Sequence, residues 1–190
     1  IMSFPFEIKE NNNLEEFAKK PVLNSGMTLI KLCYVKVKDI NIAYANFGRN
    51  EGKTDGNTVK DLRIEIRENR YEGQYHEPPV ITPEGKLVAW KHRFKAFIAE
   101  GVEYIWVAIV KFSSTKALRQ YAICENLTRN PKNIADISDV VSNVISAIKA
   151  GDCNKNKTSV NSYLKEIGWT TQIGKTVDAI MSAVDENYVQ

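Results

Sequence analysis

The stretch 104-YIWVAIVKF-112 holds a single charge in nine residues and reads as a buried strand, so the rest of the chain must supply the layers that cover it. An earlier run, 29-LIKLCYVKV-37, is β-branched and partly alternating and reads as a second strand. Between them, 58-TVKDLRIEIREN-69 opens on Thr58 as N-cap and spaces Val59, Leu62 and Ile66 as a helix does, although Ile64 and Ile66 also fit a strand. The Pro-Pro break at 78 and 79 leads into 80-VIT-82, the turn 83-PEG-85 and 86-KLVAW-90, a hairpin pattern. Helices are expected over 91–100, with Phe94, Phe97 and Ile98 on one face, and over 115–127, with Leu118, Tyr121 and Ala122 near one side.

Beyond Pro131 the alternation stops. The segments 134–151, 158–168 and 170–184 all read as helix. The expectation is therefore an α+β fold: residues 1–28 as a polar, Asn-rich arm, 29–131 as a domain with a small mixed sheet and helices, and 132–190 as an all-helical domain. With 190 residues, 43% of them apolar, the chain can bury one good core, or one core and a small satellite.

Charge is distributed unevenly. The net charge is only +3, yet residues 86–131 carry eight Lys/Arg against three acids. The excess centres on 90-WKHRFKA-96, at the mouth of a predicted helix. A helix N-terminus already carries partial positive charge and unpaired N–H groups, so cations gathered there point to an anion, and phosphate is the common one. The three cysteines, Cys33, Cys124 and Cys153, are far apart and lack metal-site spacing, which argues against a disulfide framework or zinc and for a reducing, cytoplasmic setting. No apolar run is long enough to span a membrane, and residues 1–20 are too charged for a signal peptide.

Four features follow one another: the Gly/Asn-rich stretch 46-NFGRNEGKTDGN-57 containing Arg49, the Pro-Pro entry to the hairpin, 90-WKHRFKA-96 at a helix start, and 125-ENLTR-129 at a helix end. In this order they resemble the ParB/sulfiredoxin superfamily, specifically its ParB-like N-terminal domain, over roughly residues 30–131. His92, Arg93 and Ala96 match the family's phosphate-reading motif, and Glu125, Asn126 and Arg129 match its later E-N-x-x-R segment. Trp90 stands where the motif has glycine. Lys91 stands where sulfiredoxin has its reactive cysteine, so that repair chemistry is excluded.

The resemblance implies phosphate binding by Arg49, Lys91, Arg93, Lys95, Asn126 and Arg129, with His92 and Glu125 as catalytic candidates and Glu125 as the ligand for Mg²⁺ or Mn²⁺. It also implies a helix-turn-helix over 158–184, whose Thr171, Gln172, Lys175 and Thr176 would face DNA. Residues 132–190 hold six lysines, no arginine and seven acids, so a tail that packs or forms a homodimer fits equally well. The expectation is a DNA-binding ParB-like protein acting as a metal-dependent nuclease. The alternatives are a switch or enzyme using a nucleotide (CTP, ATP or ADP) and a non-catalytic adaptor.

Overall fold

The computed structural model describes residues 3–42, 56–88, 90–129, 137–166 and 177–189, without side chains at 56–59, 91, 92, 123–129 and 137–139. The described residues divide into two compact units, one running to Ser113 and the other from Ser114. That division comes ahead of the helix at 115, whereas the change in sequence pattern lies after it.

The first unit is built on strands β1 (Ile8–Lys9), β2 (Met27–Lys36), β3 (Val80–Ile81) and β4 (Tyr104–Phe112), in the order β1-β2-β4-β3. β1 and β4 each run antiparallel to β2, and β3 runs parallel to β4, so the sheet is mixed. β4 is the apolar run 104-YIWVAIVKF-112, and Ile105 to Val110 are all buried. Alternation sends Ile105, Val107 and Ile109 into a core with Cys33, Val35, Phe94 and Phe97, while Trp106, Ala108 and Val110 point to the opposite face. The helices of this unit are α1 (Asn12–Phe17), α2 (Gly56–Arg67) and α3 (Lys91–Ala99).

The 58–69 pattern resolves as helix. α2 lies beside α3, and Arg63 and Arg67 donate to Glu100 just past the end of α3, at 2.7 and 2.9 Å. The expected hairpin is short: Ile81 bridges Leu87 antiparallel, Gly85 turns at φ 87°, and β3 makes its strand pairing with β4. One facial assignment is corrected. Ile98 is 53% exposed, because the inward stripe of α3 runs through Arg93, Phe94, Ala96 and Phe97.

The second unit comprises α4 (Thr115–Arg129), α5 (Ile137–Lys149), α6 (Lys157–Glu166) and α7 (Val177–Asn187). Val140, Val144, Val160, Tyr163, Leu164, Ile180 and Val184 form its core. Arg119 on α4 donates to Asp152, and both are largely buried. Tyr163 donates to Asn143 at 2.7 Å, and burial pushes its phenol pKa up. Cys33 and Cys153 are free thiols. No helix among the described residues is long and apolar enough to cross a membrane.

Candidate phosphate site at the start of helix α3

Three of the four α-helix starts whose caps lie among the described residues are closed by a short polar side chain. Asn11 accepts from the Leu14 N–H, Ser114 from Ala117 and Asn156 from Ser159, at 2.8 to 3.1 Å. Helix α3 begins differently. Its N-cap is Trp90, in the left-handed region at φ 75°, with no side-chain cap and no acid in the first turn. A bulky residue at positive φ is strained by about 1–2 kcal/mol, which is why glycine usually holds such a position. Trp90 thus holds a backbone conformation that favours glycine, the residue the resembled motif has at this position.

Arg93, one turn in, is only 6% exposed. Its Nη1 donates to the Tyr71 hydroxyl at 2.8 Å, its Nη2 donates to the Glu77 carbonyl at 2.7 Å, and the guanidinium lies 3.8 Å from the centre of the Trp90 ring. Its Nε is buried without a partner among the described residues. All these partners are neutral: a phenol, a peptide carbonyl and an indole face. Among the described residues no carboxylate is paired with Arg93.

Tyr71 and Glu77 come from the segment 70-RYEGQYHEPP-79, which reads from sequence as loop. The Tyr71 ring stacks on His76 at 4.8 Å and meets Phe97 of α3 edge-on at 5.1 Å, so the loop is clamped onto the helix. Burial raises the Tyr71 pKa, an effect the adjacent Arg93 opposes. The Pro79 carbonyl accepts from the Ala108 N–H at 2.9 Å, fixing the loop's end to β4. Nothing in the composition of this loop marks Tyr71 and Glu77 as site residues. Their role appears only when the loop is laid beside α3.

Of the other expected site residues, Lys95 is half-buried on α3, while Lys91 and His92 are in its first turn with side chains outside the described set. Glu125, Asn126 and Arg129 lie on α4, also with side chains outside it. Arg49, Thr171, Gln172, Lys175 and Thr176 lie outside the described residues. The described residues contain no group of three or more His, Cys, Asp or Glu able to hold a metal.

No protein-family model matches the chain, and neither does any curated protein. Among solved structures it is similar to a Pnob8-like ParB-N domain, with a TM-score of 0.51 and 12% identity, over 87% of this chain and 71% of that one. The fold is that of a ParB-N domain. At 12% identity the likeness is one of fold, not of site chemistry. The C-terminally truncated chromosome-partitioning protein ParB from Caulobacter crescentus, solved with CTP-γ-S, also matches, with a TM-score of 0.42 and 15% identity over 81% of this chain and 77% of that one. So slight a similarity carries no inference about ligands here. Among the described residues, the α3 start stands out by a buried arginine without a carboxylate partner and by its uncapped first turn.

Proposed function

We propose that this chain is a ParB-like DNA-binding protein that receives a backbone phosphate at the first turn of α3. The observation that carries the reading is Arg93: a guanidinium buried at a helix N-terminus whose partners among the described residues are all neutral, so that its charge meets no carboxylate among them. A buried charge without a counter-charge is costly, and an incoming anion removes that cost. Uncapped N–H groups and the helix dipole favour the same anion. In this reading Arg93 is a fixed source of positive potential, held by Tyr71, Glu77 and Trp90. Lys91 and Lys95 supply the long-range attraction, with His92 beside them.

Asn126 and Arg129 on α4, and Arg49, are the further phosphate contacts proposed. Thr171, Gln172, Lys175 and Thr176 are the proposed contacts to DNA from the helical unit. Binding is favoured over cleavage, because the arginine best placed to grip a scissile phosphate is turned inward and already engaged. His92 and Glu125 would have to supply any hydrolysis.

The test is fluorescence anisotropy with a labelled duplex over a salt series. Each phosphate contact contributes roughly 0.9 to the slope of log affinity against log salt, so Lys91→Ala with Lys95→Ala should flatten the slope by about 2. An unchanged slope, or no binding at low salt, sinks the reading. Calorimetry with CTP and ATP distinguishes free nucleotide from DNA as the source of the phosphate.

A further inference from the structure

Arg93 and Phe97 stand about one turn apart on α3, and one residue of the 70–79 segment touches both. Tyr71 meets the Phe97 ring edge-on at 5.1 Å and accepts from Arg93 Nη1 through its hydroxyl at 2.8 Å. Residues at that spacing lie on the same face of a helix, so Tyr71 runs along α3 as a strut, with its ring on the buried Phe97 and its oxygen at the guanidinium.

Three contacts of different kinds hold that guanidinium among the described residues. The Trp90 ring lies against it at 3.8 Å, the Glu77 carbonyl takes Nη2 at 2.7 Å, and Tyr71 takes Nη1. Trp90 is the N-cap of the helix itself, and Glu77 acts through its backbone. The Tyr71 contact hangs on one side-chain oxygen. A guanidinium is planar, so ties at both Nη atoms fix its orientation as well as its position. With one of them cut, the long side chain regains rotamer freedom, and that freedom has to be lost again when a phosphate is bound.

The strut has a support of its own. The His76 ring stacks on Tyr71 at 4.8 Å with 5° between the planes, and the His76 N–H donates to the Gly73 carbonyl at 3.2 Å. His76 is exposed, and among the described residues it shares no hydrogen bond or ring contact with Arg93. What its ring can hold in place is the ring of Tyr71.

We infer that Tyr71 is the positioning residue of the phosphate site and that His76 supports it: Tyr71 adds to the affinity for a backbone phosphate only by holding Arg93, and His76 only by holding Tyr71. The inference rests on the phosphate reading proposed above.

The experiment is a double-mutant cycle on duplex-DNA affinity, read by fluorescence anisotropy at one low salt concentration, with folding checked by thermal denaturation in every variant. Tyr71→Phe keeps both ring contacts and removes only the hydroxyl. It should weaken binding about three- to tenfold in the natural chain, the worth of one net hydrogen bond, and leave the affinity of Arg93→Met unchanged. His76→Ala should weaken binding about twofold, His76→Phe should restore it by keeping the stack, and His76→Ala should add nothing to Tyr71→Phe. If Arg93→Met binds as the natural chain does, the phosphate reading itself fails and the inference with it. If Arg93→Met is weakened and folded Tyr71→Phe is not, the inference alone is overturned. It is also overturned if Tyr71→Phe weakens binding equally with and without Arg93, or strengthens it, which would make the hydroxyl a restraint on Arg93. Unaltered affinity in His76→Ala, or a loss that His76→Phe does not restore, overturns the support assigned to His76 and, where Tyr71→Phe does not fold, the inference as a whole.

Discussion

Each unit of this chain buries an arginine, and the two are satisfied in opposite ways. Arg119 in the helical unit is 5% exposed and faces the carboxylate of Asp152, so its charge is cancelled on site. Arg93 in the sheet-bearing unit is 6% exposed and, among the described residues, faces a phenol, a carbonyl and an indole. An internal ion pair asks nothing of the outside, whereas a buried cation held by neutral dipoles at an uncapped helix start remains attractive to an anion. Equal burial therefore separates a structural arginine from a candidate functional one only when the partners are read.

The largest effect should come from unbalancing the helical unit. Asp152→Asn leaves Arg119 buried without its counter-charge and should cost about 3–5 kcal/mol in chemical denaturation. Replacing both partners with apolar residues, Arg119→Met with Asp152→Leu, should recover most of that loss. A loss of under about 1 kcal/mol for Asp152→Asn would mean the pair is far better hydrated than its burial indicates.

Arg93→Met removes a charge that has no carboxylate partner among the described residues, so its cost should be limited to the abandoned Tyr71 hydroxyl and Glu77 carbonyl, about 1–2 kcal/mol. A loss as large as that of Asp152→Asn would collapse the distinction between the two arginines. Smaller still is the effect of Trp90. Both Trp90→Gly and Trp90→Ala lose the stack on Arg93, and they differ in backbone freedom at φ 75°, so the glycine variant should be the more stable by about 1 kcal/mol. Equal stabilities would show that this position carries no strain.

A third arrangement, Arg63 and Arg67 sharing Glu100, gives the most confined effect. The Glu100 carboxyl is lowered from 4.5 to about 2 in the folded chain, so its stabilising contribution is complete above pH 4.5 and drains away as pH falls toward 2. Acid titration of stability should show that loss in the natural chain. In Glu100→Gln the corresponding part of the slope should be missing.

Much of the scaffold was legible because it is written in local pattern. The apolar run of β4, the helical spacing of Val59, Leu62 and Ile66 and the turn at Pro83–Gly85 each depend on neighbours within a few residues. Ile98 was misassigned because α3 is short and its inward stripe is widened by Arg93 and Ala96, neither of which announces burial by its type. Tyr71 and Glu77 were invisible for a different reason. They reach Arg93 across 22 and 16 positions of chain, and one of them acts through its backbone carbonyl, which no residue type encodes. The cationic α3 start was readable as an anion site. That its arginine is turned inward was not.

The central claim is that the uncompensated charge of Arg93 serves an external phosphate, and the most direct measurement compares duplex-DNA affinity in the natural chain and in Arg93→Met at one low salt concentration, with folding checked in both. The account predicts that Arg93→Met stays folded and loses at least about tenfold in affinity, the loss shrinking as salt is raised. A folded Arg93→Met that binds DNA as the natural chain does would contradict it, leaving Arg93 a structural residue like Arg119.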